Sequence, residues 1–193
     1  MHQDHRLWLI RHAPVAGPKG VIYDFDAAAD LGDDAALAAL RSILPAGAAA
    51  FASPSVRTLQ TAAALGLRPI PEPNFREQDF GSWTGRRHDD LARELGTSYR
   101  EFWRAPADSR PPGGESFADQ VVRVREGLAA SPPGDVVLVV HSGTIRAALA
   151  IALGIGLEPA LRFAIDPLSL TRIDRVSGGW RVVCVNRLNG LAG

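Results

Sequence analysis

The chain has 193 residues, 46% of them hydrophobic, which is enough to bury one sizeable core. Its 21 basic and 21 acidic side chains balance, so no overall field favours nucleic acid or an anionic membrane as a partner. A single cysteine, Cys184, excludes an internal disulfide framework. Because the sequence also lacks a secretory pattern and any apolar run of the roughly 20 residues that span a membrane, we expect one cytoplasmic domain over residues 1–193.

Short apolar runs separated by helical patterns predict an α/β fold. The first run, LWLI at residues 7–10, ends in Arg11 and His12, and GAAAFAS at residues 47–53 is a weaker strand candidate. Between them, leucines spaced at three and four after Asp33 predict a helix. The alternation favours a mostly parallel sheet with helices on both faces, a three-layer α-β-α sandwich.

A second helix is predicted to begin near Ser53. In SPSVRTLQTAAALG, Ser53 is the expected N-cap, Pro54 occupies the favoured first helical position and Gly66 ends the helix. Arg57 then lies in the first turn, where unpaired backbone N–H groups and the helix dipole already favour an anion. This arrangement suits a bound phosphate, whereas a lone arginine there is equally compatible with a solvated helix residue.

The second half of the chain continues the pattern. The Pro/Gly-rich segment 105–114 is typical of a surface loop, and Ser116 is expected to cap the helix that follows it. DVVLVV at residues 135–140 predicts a buried strand that ends in His141, followed by a helix up to Gly154. LSLTRIDRV and WRVVCVN, on either side of a glycine-rich turn, predict a hairpin with an antiparallel strand at the edge of the sheet.

Arg11, His12 and His141 each follow a predicted parallel strand, at the edge where open α/β sheets bind ligands. Taken singly, each has an ordinary structural explanation, as a solvated pair or as a hydrogen-bonded core histidine. Their combination with Arg57, in this order along the chain, favours a phosphate site.

Five stretches resemble, in order, the histidine phosphatase superfamily of phosphoglycerate-mutase-like proteins: LIRH, SPSVRTLQTA, FREQDFGSWTG, GGES and VVHSGTIR. The resemblance implies the phosphoglycerate-mutase-like fold and assigns His12 as the nucleophile that forms a phosphohistidine, with its other ring nitrogen held by a backbone carbonyl. Arg11, Arg57 and His141 would surround the phosphoryl oxygens. This chemistry requires no metal or other cofactor.

Glu77, in FREQDFG, is by the same resemblance the general acid that protonates the leaving alkoxide. It would then return as the general base that activates water. A surface ion pair with Arg76 is the structural alternative, and Asp79 is a weaker candidate for the acid.

Ser142 is expected to donate a hydrogen bond to the phosphate, with helix capping as its alternative role. The role of Arg146, one turn into the same helix, stays open, as do those of nearby aromatic residues. His2, His5 and His88 show no spacing typical of a zinc site.

The resemblance also bears on the substrate, which we expect to be a small phosphorylated metabolite. Only 35 residues, 78 to 112, separate Glu77 from Gly113, and mutases of the family usually carry a longer insertion there, so a phosphomonoester hydrolase is favoured. The stretch RHAPVAGPKGVIYDFDAAADL is similar to the start of bacterial α-ribazole-phosphatase-like members, which act in cobalamin assembly; Asp24 stands where those proteins often have glycine. A phosphoglycerate mutase, a broad-specificity small-molecule phosphatase and a non-catalytic phosphate-binding protein remain alternatives, and a homodimer is one possible assembly.

Overall fold

A computed structural model describes residues 5–177 and 179–188. These residues contain one sheet, whose strands lie in the order β3-β2-β4-β1-β5-β6. The strands are β1 His5–Arg11, β2 Ala49–Ala52, β3 Ile70–Pro71, β4 Gly134–Val140, β5 Leu170–Val176 and β6 Gly179–Arg187. The helices are α1 Asp34–Ile43, α2 Val56–Ala64, α3 His88–Leu95, α4 Thr97–Phe102, α5 Phe117–Ala130, α6 Ser142–Leu153 and α7 Leu157–Ala160.

Alternation along β4 divides the core between the two faces of the sheet, because successive strand side chains point to opposite sides. Val136, Leu138 and Val140 pack in a cluster with residues of α5 and α6. Val137 and Val139 pack in a second cluster with residues of α1 and α2. The structure therefore has the predicted three layers, with every β4 position from Val136 to Val140 buried.

The sheet is mostly parallel, as predicted. β1 pairs in parallel with β4, β4 with β2, and β2 with β3. The antiparallel strand is β5, which pairs with β1 on one side and with β6 on the other. The antiparallel strand is therefore covered by its hairpin partner, and β6 forms the edge.

Two of the predicted helix starts are confirmed by their capping bonds. The Asp33 carboxylate accepts a hydrogen bond from the Ala36 N–H at 2.9 Å, and α1 begins at the next residue. Ser116 and Asp119 form a reciprocal capping box at the start of α5. Both bonds satisfy backbone donors that the helix itself leaves unpaired.

The predicted start of α2 is wrong by two residues. The N-cap is Ser55, not Ser53, and the helix begins at Val56. Ser53 still belongs to the sheet edge, since its N–H donates to the Val139 carbonyl at 3.1 Å, and Pro54 favours an extended residue before it. Gly66 follows the helix with φ +76°, a conformation that suits glycine, so the predicted end is confirmed.

A third cluster of buried side chains lies beside the carboxyl edge of the sheet and consists of Ile22, Trp83, Leu91, Tyr99 and Phe102. It joins α3 and α4 to the loop between β1 and α1. His5 is the first residue of β1 and only 7% exposed; His2 lies outside the described residues. None of the described helices is both long and apolar enough to cross a membrane.

Candidate active site

Two adjoining cavities open at the carboxyl edge of the parallel strands. One, of about 380 Å³, is lined by Arg11, His12 and Arg146, together with the aromatic side chains of Phe80 and Trp103. The other, of about 320 Å³, lies further out and is lined by Asp24, Asp79 and Glu115 among others. Arg57 and Glu77 line both cavities, so these two side chains stand where they join.

The register between β1 and β4 brings His12 beside His141. Arg11 is paired with Val140 at the end of the two strands, and the His12 N–H donates to the Val140 carbonyl at 3.0 Å. The two imidazole rings follow directly, with centroids 5.1 Å apart and edge to face. The predicted meeting of these residues at one sheet edge is observed.

The His12 ring is held as a neutral imidazole with a free Nε2. Its Nδ1 lies 2.6 Å from the Ala13 carbonyl oxygen, which can only accept, so Nδ1 carries the proton. Burial lowers the pKa of His12 to about 4. The positive charges of Arg57 and Arg11 also lower this pKa, whereas the hydrogen bond to Ala13 raises it by less than burial lowers it. Nε2 therefore keeps its lone pair at neutral pH.

Two arginines reach the cavities from different elements. Arg57, in the first turn of α2, donates from Nη1 to the Asp24 carbonyl at 2.6 Å and is 5% exposed. Arg11 donates from Nη1 to the Ile165 carbonyl at 2.5 Å. Burial lowers the pKa of both guanidinium groups, which nevertheless stay charged because a guanidinium is too basic to lose its proton near neutral pH. Two cations are thus held at the end of β1.

His141 is fully buried and lies behind the side chains that line the cavities. Its Nδ1 is 3.4 Å from Nη2 of Arg57, a group that only donates, so the proton is on Nε2, which is 2.8 Å from the Ser53 hydroxyl. Burial lowers the pKa of His141 well below 6.5, with His12 and Arg57 acting in the same direction. His141 is not among the residues lining the two cavities.

Glu77 is buried among hydrogen-bond donors. Gln120 Nε2 donates to its Oε1 at 3.2 Å, and the Gln78 N–H donates to the same oxygen at 3.1 Å. Its Oε2 accepts from the Gly143 N–H at 3.3 Å and from the Ser142 hydroxyl at 3.4 Å. The first turn of α6 thus directs one backbone N–H and one hydroxyl at this carboxylate, where the helix dipole also favours negative charge.

These donors decide the charge of the Glu77 carboxyl. Burial raises its pKa most strongly, but the hydrogen bonds from Gln120, Gln78 and Gly143 and the charge of Arg57 more than offset burial and lower the pKa below 4.5. Glu77 is therefore ionised at neutral pH. The structural alternative from the sequence, a surface ion pair with Arg76, does not occur: no described ion pair joins these two residues, and Glu77 faces inward.

Sequence reasoning missed two residues that hold the site. Ser53, expected to cap a helix, instead orients His141. Gln120 is fully buried on the inner face of α5 and binds Glu77. A signal for Gln120 was present, because an amide at helical spacing with Phe117 and Val124 interrupts an apolar face. Within residues 5–177 and 179–188, no group of three or more His, Cys, Asp or Glu side chains is arranged to hold a metal ion.

Comparison with known proteins decides the family. The model of the histidine phosphatase superfamily (branch 1) matches residues 7–188. The chain belongs to this superfamily. The match extends from β1 to the residue after β6 and includes all six of the site residues proposed from the sequence.

Curated relatives match this member of the superfamily only in part. Proteins of Mycobacterium bovis and Mycobacterium tuberculosis are 35% identical over 140 residues, which is 68% of this chain but 38% of their own length. A 2,3-bisphosphoglycerate-dependent phosphoglycerate mutase of Azorhizobium caulinodans is 36% identical over 93 residues, 46% of this chain and 45% of the mutase. The chain thus spans less than half the length of these relatives.

Solved structures extend the likeness to the whole fold. The α-ribazole phosphatase of Shigella flexneri superimposes with a TM-score of 0.81 over 97% of this chain and 100% of that chain, at 23% identity. The mycobacterial glucosyl-3-phosphoglycerate phosphatase gives 0.81 over 95% and 99% at 25% identity. The predicted phosphoglycerate-mutase-like fold is confirmed.

Replacing Gly143 by Ala is expected to lower kcat about 10- to 100-fold, because a misplaced catalytic group is costly. A Cβ at this position would overlap the Glu77 carboxylate and lie 2.8 Å from Gln120 Oε1. Steady-state kinetics of Gly143→Ala measures the effect. Gly156→Ala is the control, since its Cβ would meet Pro159 at an ordinary 3.5 Å. Unchanged kcat in Gly143→Ala would contradict the tight fit of Glu77 against α6.

The low pKa of His12 predicts a loss of stability in mild acid. The unfolded chain binds a proton at His12 near pH 6.5, whereas the folded chain does so only near pH 4. The contribution of His12 is therefore fully present above pH 6.5 and is lost as the pH falls towards about 4, by up to about 3 kcal/mol. Urea unfolding across this range should show that the free energy of unfolding falls less steeply with pH in His12→Gln, because the new side chain never takes up a proton. Equal pH dependence in both proteins would contradict the buried, neutral state.

Proposed function

We propose that this histidine phosphatase hydrolyses phosphomonoesters through a phosphohistidine at His12. The observation that carries the proposal is the 2.6 Å contact between His12 Nδ1 and the Ala13 carbonyl, which leaves Nε2 as the nucleophilic nitrogen in a cavity that Arg11, Arg57 and Arg146 line. Burial supports the same role by keeping the imidazole neutral and therefore nucleophilic.

In the proposed reaction, Nε2 of His12 attacks phosphorus while the bond to the alcohol oxygen breaks. Arg11 and Arg57 stabilise the charge on the equatorial oxygens. Glu77 gives a proton to the leaving alkoxide, then takes one from water, whose oxygen attacks phosphorus and frees His12. The acid is thus restored at the end of each cycle, and inorganic phosphate leaves.

His141 and Ser142 have supporting roles in this proposal. A donation from His141 to the phosphoryl group requires the proton on Nδ1, and the Ser53 hydroxyl permits this tautomer because it can donate to Nε2 as well as accept from it. Ser142 already donates to Glu77 Oε2. Its hydroxyl lines the cavity and is placed to turn to a phosphoryl oxygen when one is bound.

We propose α-ribazole 5′-phosphate as the substrate to test first. The cavity beside His12 is walled by Phe80, Trp103 and the ring of His88, which suits an alcohol that carries a flat apolar group. Its volume of about 380 Å³ falls within the range of small-molecule sites. 3-Phosphoglycerate, by contrast, carries no flat apolar group that could pack on these aromatic walls.

The test compares kcat/KM for phosphate release from α-ribazole 5′-phosphate, 3-phosphoglycerate and 4-nitrophenyl phosphate. A preference of at least about 100-fold for the first, about 2.7 kcal/mol of transition-state binding, supports the assignment. Similar slow rates on all three leave a phosphatase of broad specificity. Conversion of 3-phosphoglycerate to its 2-phospho isomer identifies a mutase, and binding of phosphate without any release identifies a non-catalytic protein.

A further inference from the structure

Two residues, one just before β5 and one in β6, have a left-handed backbone conformation that residues with side chains rarely adopt. Leu168 has φ +57° and Asn186 has φ +54°, and they are the non-glycine residues with positive φ in the described part of the chain. Such residues persist only where their surroundings hold them, and they are frequent at functional sites. Leu168 is buried, and its N–H donates to the Arg11 carbonyl at 3.1 Å.

Asn186 lies at an irregularity of the sheet edge. Leu170 of β5 pairs with Arg187 of β6, but Arg172 pairs with Cys184, so the β6 strand carries one extra residue between these pairs. A bulge of this kind re-aims a side chain, and asparagine tolerates the left-handed conformation better than most residues. The Asn186 side chain is turned across the sheet edge towards the segment before β5.

There Asn186 binds Asp166 twice. Its Oδ1 accepts from the Asp166 N–H at 2.6 Å, and its Nδ2 donates to the Asp166 carboxylate at 2.8 Å. The pair fixes both the backbone and the side chain of Asp166. The segment is further tied at its other end, where the Ser169 carbonyl accepts from the Arg11 N–H at 3.2 Å.

The residue before Asp166 holds the guanidinium of Arg11. The Ile165 carbonyl accepts from Arg11 Nη1 at 2.5 Å, whereas the buried Nε of Arg11 has no partner among the described residues. The direction of this side chain therefore depends on where one carbonyl is placed. The negative charge of Asp166 also acts on the same guanidinium.

We propose that Asn186 is a positioning residue for phosphoryl binding: by holding Asp166, it fixes the Ile165 carbonyl that aims Arg11 at the phosphoryl group. The inference rests on the proposed function, since it assigns Arg11 to the phosphoryl group. A bulge that served only the hairpin would not require two hydrogen bonds to Asp166, the residue next to the carbonyl that holds Arg11.

The first test compares Asn186→Gly with the unaltered chain. Glycine keeps the left-handed backbone of the bulge but removes both side-chain bonds to Asp166. We expect kcat/KM for 4-nitrophenyl phosphate to fall about 10- to 100-fold and the Kd for inorganic phosphate, measured by calorimetry, to rise. The free energy of unfolding is measured in parallel. Phosphate affinity and kcat/KM equal to those of the unaltered chain would overturn the inference.

Two further variants separate positioning from general damage. The double variant Asp166→Asn with Asn186→Asp exchanges the two side chains, so a carboxylate at position 186 can accept from both the backbone N–H and the side-chain amide at position 166. This variant should recover most of the phosphate affinity lost in Asn186→Gly. In an Arg11→Met background, Asn186→Gly should have little further effect on phosphate binding, since the group it positions is gone. Equal losses with and without Arg11, or no recovery in the double variant, would overturn the inference.

The outcomes also separate this inference from the proposed function. If the unaltered chain neither binds inorganic phosphate nor releases it from an ester, the proposed function fails and the role of Asn186 with it. If the unaltered chain binds and releases phosphate while Asn186→Gly does so equally well, only the positioning role fails.

Discussion

His12→Ala is expected to lower kcat for phosphate release by at least about 10⁴-fold on every ester, the largest effect of any single change in the chain. The variant removes Nε2 of His12, the ring nitrogen that keeps its lone pair because Nδ1 is bonded to the Ala13 carbonyl and burial holds the ring neutral. Arg11 and Arg57 remain, so inorganic phosphate should still bind. Loss of kcat with retained phosphate affinity distinguishes a missing nucleophile from a collapsed site.

The covalent intermediate gives this expectation a second measurement. Rapid mixing of the unaltered protein with a labelled ester, quenched in base, should trap one phosphoryl group on the chain. The trapped label should be lost in acid, as a phosphorus–nitrogen bond requires, and should be absent from His12→Ala. A labelled protein in the His12→Ala variant, or release at more than about 1% of the unaltered rate, would assign the nucleophile to another residue.

Glu77→Gln is expected to lower kcat for alkyl monophosphates by about 10²- to 10⁴-fold, the contribution of a general acid and base. The effect should depend on the leaving group. An alkoxide needs the proton of Glu77, whereas 4-nitrophenolate leaves as an anion. With 4-nitrophenyl phosphate, the variant should therefore release about one equivalent of nitrophenolate quickly and then turn over slowly, because water lacks its base.

Asp79→Asn is the matched control for Glu77→Gln. Asp79 lines the outer cavity, and its carboxylate accepts from the Gly81 N–H at 2.8 Å. If Glu77 is the acid, Asp79→Asn keeps the dependence on the leaving group seen in the unaltered protein. An equal loss on both esters in Glu77→Gln, with no initial release, would contradict the role of Glu77. Transfer of the leaving-group effect to Asp79→Asn would assign the acid to Asp79.

The ionised state of the Glu77 carboxylate is compatible with this role. A phosphate dianion that binds beside the carboxylate repels its charge and raises the pKa of Glu77, so the acid takes up its proton when the substrate binds. Binding of a phosphate ester should accordingly be accompanied by proton uptake. Calorimetry in buffers with different heats of ionisation measures this uptake directly.

The fold and the placement of Arg11, His12 and His141 at one sheet edge could be predicted because their signals are local. The apolar runs of β1 and β4 stop at Arg11 and His141, and parallel strands bring their carboxyl ends to one edge whatever lies between them. Asp33 and Ser116 cap helices through side chains that contact the backbone within three residues. These features are visible in a short window of sequence.

Contacts between distant segments could not be predicted in this way. Ser53 has the residue type and position of an N-cap. Its N–H instead bonds to Val139 of β4, and its hydroxyl contacts His141. Gln120 binds Glu77 only because α5 packs beside the segment that carries Glu77. Sequence patterns indicate which face of a helix is buried, but they do not show which polar group of another segment that face contacts.

The central place of β1 in the sheet has a consequence for how the protein folds. Its neighbours are β4 and β5, so His5 pairs with Gly134 on one side and with Arg175 on the other. Both partners lie far from β1 along the chain, and such non-local pairing slows folding. The edge that carries Arg11 and His12 cannot form until β4 and β5 have paired with β1, so activity on refolding should return only with the last, global phase and never ahead of it.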